Sequence, residues 1–383
     1  MTLMDGELPV VVVGAGIIGL SIARELSERG GWCVVLEARP AWGEGASSRN
    51  SEVLHGGFLY AAGSLKQRCC LVGRQELSNR LELWDVPVNR CGKLVVAVEP
   101  DEVERLDELL AESARIGVPA QRVEVERARE LEPALTGELV AAGWFPESAV
   151  FDTHTYMQRL LDSAQENGSH LLVDSPVQRL CFTNGSLFAE LDGEQVEASA
   201  LINTSGMDAD RLLAASGVDI GAAGLEQEAW AGRWYRLRQS QAEGMNRLVY
   251  RTSRPGEPGL GVHTTPDAIA DGVRLGPDAV RVPNLTSDFE QRHRFADDEQ
   301  TRRKFLERLL PLYPHLTTAD LTPDQVGLRN RAFDEQGRAD HRFIDGESVG
   351  LPRTLHLLGI ESPGVTGSPE IARRAVDWLE RLP

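Results

Sequence analysis

Positive charge is what this sequence is short of. It has 40 Lys and Arg against 58 Asp and Glu, a formal net charge of −18 over 383 residues. A nucleic-acid surface needs a basic stripe, and an acidic shell repels anionic headgroups, so neither partner is expected. A small basic pocket for an acidic molecule is still allowed, because local fields decide that. Cysteine is scarce too. Cys33, Cys69, Cys70, Cys91 and Cys181 are odd in number and include no C-x-x-C pair. That excludes a disulfide framework, gives no zinc spacing, and leaves no metal to expect. The adjacent Cys69 and Cys70 read as packing residues of a helix, and the expected compartment is the reducing cytoplasm. Long apolar runs are missing as well. Leu8 to Val13 is strand-length, and nothing approaches the roughly 18 uninterrupted apolar residues of a spanning helix. Peripheral membrane contact is left open. The opening Met-Thr-Leu-Met-Asp-Gly-Glu lacks the basic start of a signal peptide.

With 42% hydrophobic and 26% charged residues the composition is that of a globular protein, and the length suits two domains. Val10 to Val13 is a continuous β-branched run, as in a strand buried on both faces. Ile18, Ile22 and Leu26 then recur with helical spacing over Ile17–Arg29, and Cys33 to Leu36 is a second buried strand. Residues 8–37 thus read as a βαβ unit. Helices are expected near Ser64–Leu83, Asp101–Ile116, Asp152–Asn167 (capped by Asp152), Ala209–Ser216 and Asp297–Leu310. A last one is expected at Pro369–Leu382, with the proline in its first turn. Strands are expected at Leu94–Val98, Leu171–Val173, Val177–Phe182, Leu187–Leu191, Ala200–Asn203 and Leu355–Leu358. Between about 225 and 282, Trp230–Leu237, Arg247–Tyr250, Leu260–Thr264 and Gly272–Leu275 predict an antiparallel sheet. Pro255-Gly256-Glu257-Pro258-Gly259 is the strongest turn cluster.

Gly14-Ala15-Gly16-Ile17-Ile18-Gly19 follows a strand, opens a helix, and precedes Glu37 at the end of the second strand. In that context G-x-G-x-x-G binds a dinucleotide. Gly14 makes the tight turn, Gly16 admits a pyrophosphate, and Gly19 lets helix and sheet pack closely. The helix N-terminus offers free N–H groups and a positive dipole end. Glu37 can accept both hydroxyls of an adenosine ribose. The fingerprint alone fits NAD or FAD. Three features favour FAD: the motif's N-terminal position, the Gly/Ser-rich segment Gly43–Ser51 after Glu37, and a second strand-loop-helix near the other end. There Leu355–Gly359 leads into Glu361-Ser362-Pro363-Gly364-Val365-Thr366, whose helix N-terminus can face the pyrimidine side of a flavin.

The same blocks carry a resemblance. Val10–Glu37, Asn50–Gly57, Ser64-Leu65-Lys66, Cys91–Ala97, Leu260–Pro266, Leu275–Asp278, Gly327-Leu328-Arg329 and Ser362–Thr366 together make the chain similar to the D-amino-acid-oxidase-type FAD oxidoreductases. Within them it most resembles the L-2-hydroxyglutarate dehydrogenase/oxidase branch. Three stretches depart from that pattern: Ser47–Ser51, Tyr250–Ser253 and Glu361-Ser362. The resemblance implies an α/β fold, a glutathione-reductase-like Rossmann FAD-binding domain joined to an α+β substrate domain with an antiparallel sheet. The expected limits are 1–75, 145–215 and 325–383 for the first, and 76–144 and 216–324 for the second. The expected cofactor contacts are Gly14, Gly16, Ile17, Ile18, Gly19, Glu37, Ala38, Arg39, Ser47, Ser48, Asn50, Ser51, Val177, Ser205, Gly206, Gly359, Pro363, Gly364, Val365 and Thr366.

Oxidising an alcohol requires a base for the hydroxyl proton, and histidine is the natural one. Of eight histidines, His55 and His263 lie in the glycine-flanked blocks. His356 reads as a core residue, and His154, His170, His293, His315 and His341 as solvated. A carboxylate substrate calls for a cation, ideally arginine. Arg329 is the first candidate, Lys66 and Arg233 follow, and Arg49 is a candidate for the flavin or diphosphate. The reading is a flavoenzyme that oxidises a small 2-hydroxy acid, L-2-hydroxyglutarate-like, to the 2-oxo acid. The alternatives are an amine or amino-acid oxidase on the same scaffold and a flavin-binding subunit without turnover. The electron acceptor, oxygen or a quinone or other carrier, is left open.

Overall fold

A computed structural model describes residues 8–252, 261–334, 336–337 and 339–382. The expected turn cluster at 255–259 lies outside these residues. So does the first residue of the strand expected at Leu260–Thr264.

The first sheet has six strands in the order Arg342–Asp345, Thr354–Leu358, Ala200–Asn203, Val10–Val13, Cys33–Leu36 and His170–Leu172. All neighbours are parallel except the edge strand Arg342–Asp345. Strands Val10–Val13 and Cys33–Leu36 are apolar at every position because both faces of the sheet are covered there. Val12, Cys33 and Val35 face helices Ile17–Glu28, Leu65–Leu83, Thr153–Glu166 and Gly364–Leu379. Val11, Val13, Val34 and Leu36 face a three-stranded antiparallel sheet, Arg179–Thr183, Ser186–Glu190 and Gln195–Ala198. Each such fully buried Val or Leu contributes about 1.5–3 kcal/mol.

The second large sheet has nine strands among the described residues. Eight follow in the order Val280–Arg281, Glu228–Leu237, Val273–Gly276, His263–Pro266, Leu248–Arg251, Lys93–Ala97, Ala141–Phe145 and Gln121–Val123. The ninth, Leu321–Arg331, pairs along Glu228–Leu237 with a register shift at Trp234/Tyr235. The sheet is antiparallel as expected, with one exception: Leu248–Arg251 runs parallel to Lys93–Ala97. Helix Val103–Arg115 packs on one side through Leu106 and Leu109. Helix Glu299–Leu309 packs elsewhere on the sheet through Phe305, Leu306 and Leu309.

Two expectations need correction. The last helix begins at Gly364, not at Pro369, which lies inside it. Backbone bonds from Gly364 N–H to Glu361 O (2.6 Å) and from Gly367 N–H to Pro363 O (2.8 Å) start the helix a turn earlier. The proline therefore costs one internal donor. Leu321–Arg331 was not foreseen as a strand, because Pro323 and its polar neighbours mask the alternation.

Candidate active site

One cavity of about 1410 Å3 runs from the first sheet to the second. At one end it is made largely of backbone. Gly14 turns with φ +100°, and a Cβ on Gly19 would overlap the carbonyl oxygen of Gly14, so the helix can approach the turn only without a side chain. Ile17 N–H, at the helix start, donates to Ser47 Oγ (3.0 Å). Glu37 accepts the N–H groups of Ala15 (2.7 Å) and Arg39 (2.9 Å). Burial raises its carboxyl above the usual range, and those two bonds oppose the rise.

Of the expected cofactor contacts, Gly14, Gly16, Ile17, Ile18, Glu37, Ala38, Arg39, Ser47, Asn50, Ser51, Val177, Ser205, Gly206, Pro363, Gly364 and Val365 line this cavity. Gly19, Ser48, Gly359 and Thr366 stand behind the wall. Gly19 packs on Gly14, and Ser48 Oγ donates to Gly43 O. Gly359 N–H donates to Gln227 Oε1 (2.7 Å). Thr366 Oγ1 accepts from His55 N–H (3.0 Å) and donates to Val53 O (3.1 Å), fixing the histidine's backbone. Arg49 also lines the cavity, and its Nε donates to Glu44 O (3.2 Å).

The other end is made of side chains, and it brings His55, His263 and Arg329 to the same cavity. His263 is buried and stacks on Tyr250 with centroids 3.9 Å apart and planes 12° apart. Its Nδ1 lies 3.0 Å from Thr265 Oγ1 and 3.4 Å from Thr264 O. Burial, reinforced by the positive charge of Lys93, lowers its pKa to about 3. His55 is held well below the usual histidine range by burial, then by Lys93 and His263. Its Nε2 lies 3.3 Å from Ser362 Oγ, which in turn lies 2.9 Å from the hydroxyl of Tyr60. Both imidazoles are therefore neutral, the form a base needs.

Arg329 enters from Leu321–Arg331, and burial lowers its guanidinium pKa, with Glu361 acting against that. Lys66 Nζ lies 2.7 Å from Glu361 Oε1, and Arg331 Nε lies 3.5 Å from the same oxygen. Burial would raise the Glu361 carboxyl, but Lys66, Arg331 and Arg329 outweigh it and hold it below the usual range. Lys66, Arg331 and Arg329 thus gather around Glu361, with Asp278 also acting on Arg329. Arg233 is engaged by Asp278 (2.6 Å) and does not line the cavity.

Sequence reasoning missed Arg331 and Tyr60 as wall residues, and marked Tyr250 and Glu361 only as departures from the family pattern near the expected site. It also placed His341 wrongly. That residue is buried, not solvated, with Nε2 3.3 Å from Glu361 O and a pKa lowered by burial to about 4. His356 is the core residue expected, between Asn203 (3.3 Å) and Thr354 Oγ1 (2.8 Å).

Residues 9–378 match the family described as DAO, FAD dependent oxidoreductase. The chain belongs to that family. Among the relatives of this FAD-dependent oxidoreductase is the mitochondrial L-2-hydroxyglutarate dehydrogenase of Arabidopsis thaliana, 31% identical over 99% of this chain and 85% of that one. The L-2-hydroxyglutarate dehydrogenase of Escherichia coli K12 is 28% identical over 97% and 93%. Two solved structures share the fold. L-alpha-glycerophosphate oxidase from Mycoplasma pneumoniae, with FAD bound, superposes with a TM-score of 0.82 at 22% identity over 98% and 96% of the chains. Glycine oxidase from Geobacillus kaustophilus gives 0.80 at 21% over 98% and 95%. FAD is the cofactor, and the cavity suits it in having a glycine turn beside a helix N-terminus, a carboxylate at Glu37 and a side-chain-lined far end. Among the described residues no helix is long and apolar enough to cross a membrane.

Proposed function

We propose that this flavoenzyme oxidises an L-2-hydroxy acid, of the 2-hydroxyglutarate type, to the 2-oxo acid. The observation that carries the reading is the meeting of a neutral histidine pair with a cluster of cations at one end of the cavity. Bound FAD supplies the hydride acceptor. Gly14, Gly16, Glu37 and the segment Ser47–Ser51 would hold its nucleotide part, and Pro363, Gly364 and Val365 would line the part of the cavity that takes its ring. Arg329 clamps the carboxylate beside the reacting carbon. His263, with Nδ1 turned to Thr264 and Thr265, offers Nε2 to the hydroxyl proton. His55, fixed by Thr366 and Ser362, contacts the ring or substrate. Lys66 and Arg331, shared with Glu361, supply attraction for a second carboxylate. The names of the similar dehydrogenases support this substrate class. The parallel sheet drawn from residues 10–13, 33–36, 170–172, 200–203 and 354–358 supports a division into flavin and substrate parts.

The test is anaerobic bleaching of the flavin by L- and D-2-hydroxyglutarate, L-lactate, L-malate, glycine, sarcosine and D-amino acids. Bleaching by the L-2-hydroxy dicarboxylate ahead of the rest is expected. Bleaching by amines alone would move the reaction to the amino-acid-oxidase type, and bleaching by nothing in the set would favour a subunit without turnover.

A further inference from the structure

Three adjacent strands set three side chains in a row. Thr264 pairs with Val249, which places His263 across from Tyr250. Leu248 pairs with Lys93, which places Lys93 on the other side of Tyr250, one pleat along the same face. The Tyr250 ring that stacks on His263 thus has Lys93 Nζ 4.2 Å from its centre. Lys93 is 0% exposed and does not line the cavity. Around it stand Phe58, Cys91, and Cys70 and Arg74 from helix Leu65–Leu83, with Tyr250, His55 and His263 on the cavity side and Arg329 beyond His263. None of these is a carboxylate, and Glu361 is committed to Lys66. Lys93 Nζ, Tyr250 OH and His55 Nδ1 are all buried with no hydrogen-bond partner among the described residues.

An amine sealed among apolar groups without a counter-ion is expensive, and a methionine would fill the same space more cheaply. A perturbed, unpaired group of this kind beside a cavity is a candidate for a functional role. We propose that Lys93 is a positioning residue for the catalytic base: its positive charge behind the cavity wall adds to burial in keeping His55 and His263 unprotonated and able to take the substrate's proton. Burial lowers the Lys93 pKa to about 7, while His263 lies lower still, at about 3. The first proton to enter therefore goes to Lys93, and its charge opposes a second on either imidazole. The cavity wall keeps a free base while the lysine behind it takes the charge.

The inference rests on the reading that a histidine accepts the hydroxyl proton. It is tested with Lys93→Met in the holoenzyme. The acid limb of kcat/KM should move up by about one unit, making the variant about ten-fold slower below the limb and equal to wild type above it. Stability should move the other way. The folded lysine titrates near 7 and the unfolded one near 10.5, so native Lys93 is penalised in full below pH 7, and the penalty fades as pH rises to 10.5. The variant should melt several degrees higher at pH 6 and no higher at pH 10.5. A variant that melts lower at pH 6 makes Lys93 a structural residue, and an unmoved acid limb removes its action on the base. If Lys93→Met does not fold, histidine-ring NMR of the wild-type holoenzyme decides, with His263 assigned by its loss in His263→Asn. The His263 ring should remain neutral down to pH 5, and protonation above pH 6 overturns the proposal. Melting and ring titration need no substrate, so a failure to oxidise any 2-hydroxy acid would count against the proposed reaction alone.

Discussion

The two ends of the cavity are built from different material. At the nucleotide end the wall is built around main chain, a turn and a helix start with Glu37 beside them, drawn from residues 13–51 together with Val177, Ser205 and Gly206. At the redox end it is side chain. His55, Lys66, Tyr250, His263, Arg329 and Glu361 arrive from segments spread over most of the sequence, and several are ionisable groups held out of water. Main chain binds by shape and tolerates little intrusion. Buried side chains set protonation states, and single substitutions retune them. The first end should therefore fail as a whole, and the second by degrees.

The largest expected effect tests the first half of that contrast. Gly19→Val places atoms inside the Gly14 turn, and the purified protein should carry no FAD, read as the loss of flavin absorbance per mole of chain. A variant that retains its full flavin content would mean the turn is not the tight seat described. Next comes His263→Asn, which should lower kcat by about 10²–10⁴-fold with a smaller change in KM. An unchanged kcat would pass the base role to His55. Arg329→Ala should be felt mainly in KM. Removing one charged hydrogen-bonding partner costs about 2–3 kcal/mol, or roughly 100-fold in kcat/KM, and Arg329→Lys should recover only part because the paired geometry is lost. The smallest effect returns to the nucleotide end. Glu37→Gln keeps the size but sets an amide nitrogen against the N–H of Ala15 or Arg39, and should weaken FAD about ten-fold by equilibrium dialysis. A collapse as deep as that of Gly19→Val would erase the distinction between the ends.

The contrast also explains what could be read from the chain. The core of the nucleotide end lies within one short stretch and depends on glycine spacing, so the βαβ unit and Glu37 could be found from the sequence. The redox end depends on which distant side chains meet. His263 and Arg329 stood out because of glycine-flanked blocks and family likeness. His341 looked solvated beside Asp340 and Arg342, and nothing local indicates that its ring turns inward to Glu361. Arg331 was hidden because Leu321–Arg331 does not read as a strand. Its partner Glu228–Leu237 supplies the hydrogen bonds that make it one, and that pairing is non-local. Lys93 sits in an apolar strand pattern that signals burial without revealing the missing counter-ion.

The helix Gly364–Leu379 and the strand before it have a consequence for synthesis. Ile371, Ala372, Ala375 and Val376 cover the same core as Leu20, Ile22 and Ala23 of the first helix, and Ile360 to Val365 form cavity wall. On a ribosome making about 5–20 residues per second, the first strand and helix emerge roughly 20–70 s before their cover. During that interval an apolar surface near the start of the chain has no mate, and the nucleotide seat has one wall missing. Cofactor capture should therefore wait until helix Gly364–Leu379 has emerged, and slow translation or truncation before that helix should feed the aggregate, not a partly active enzyme.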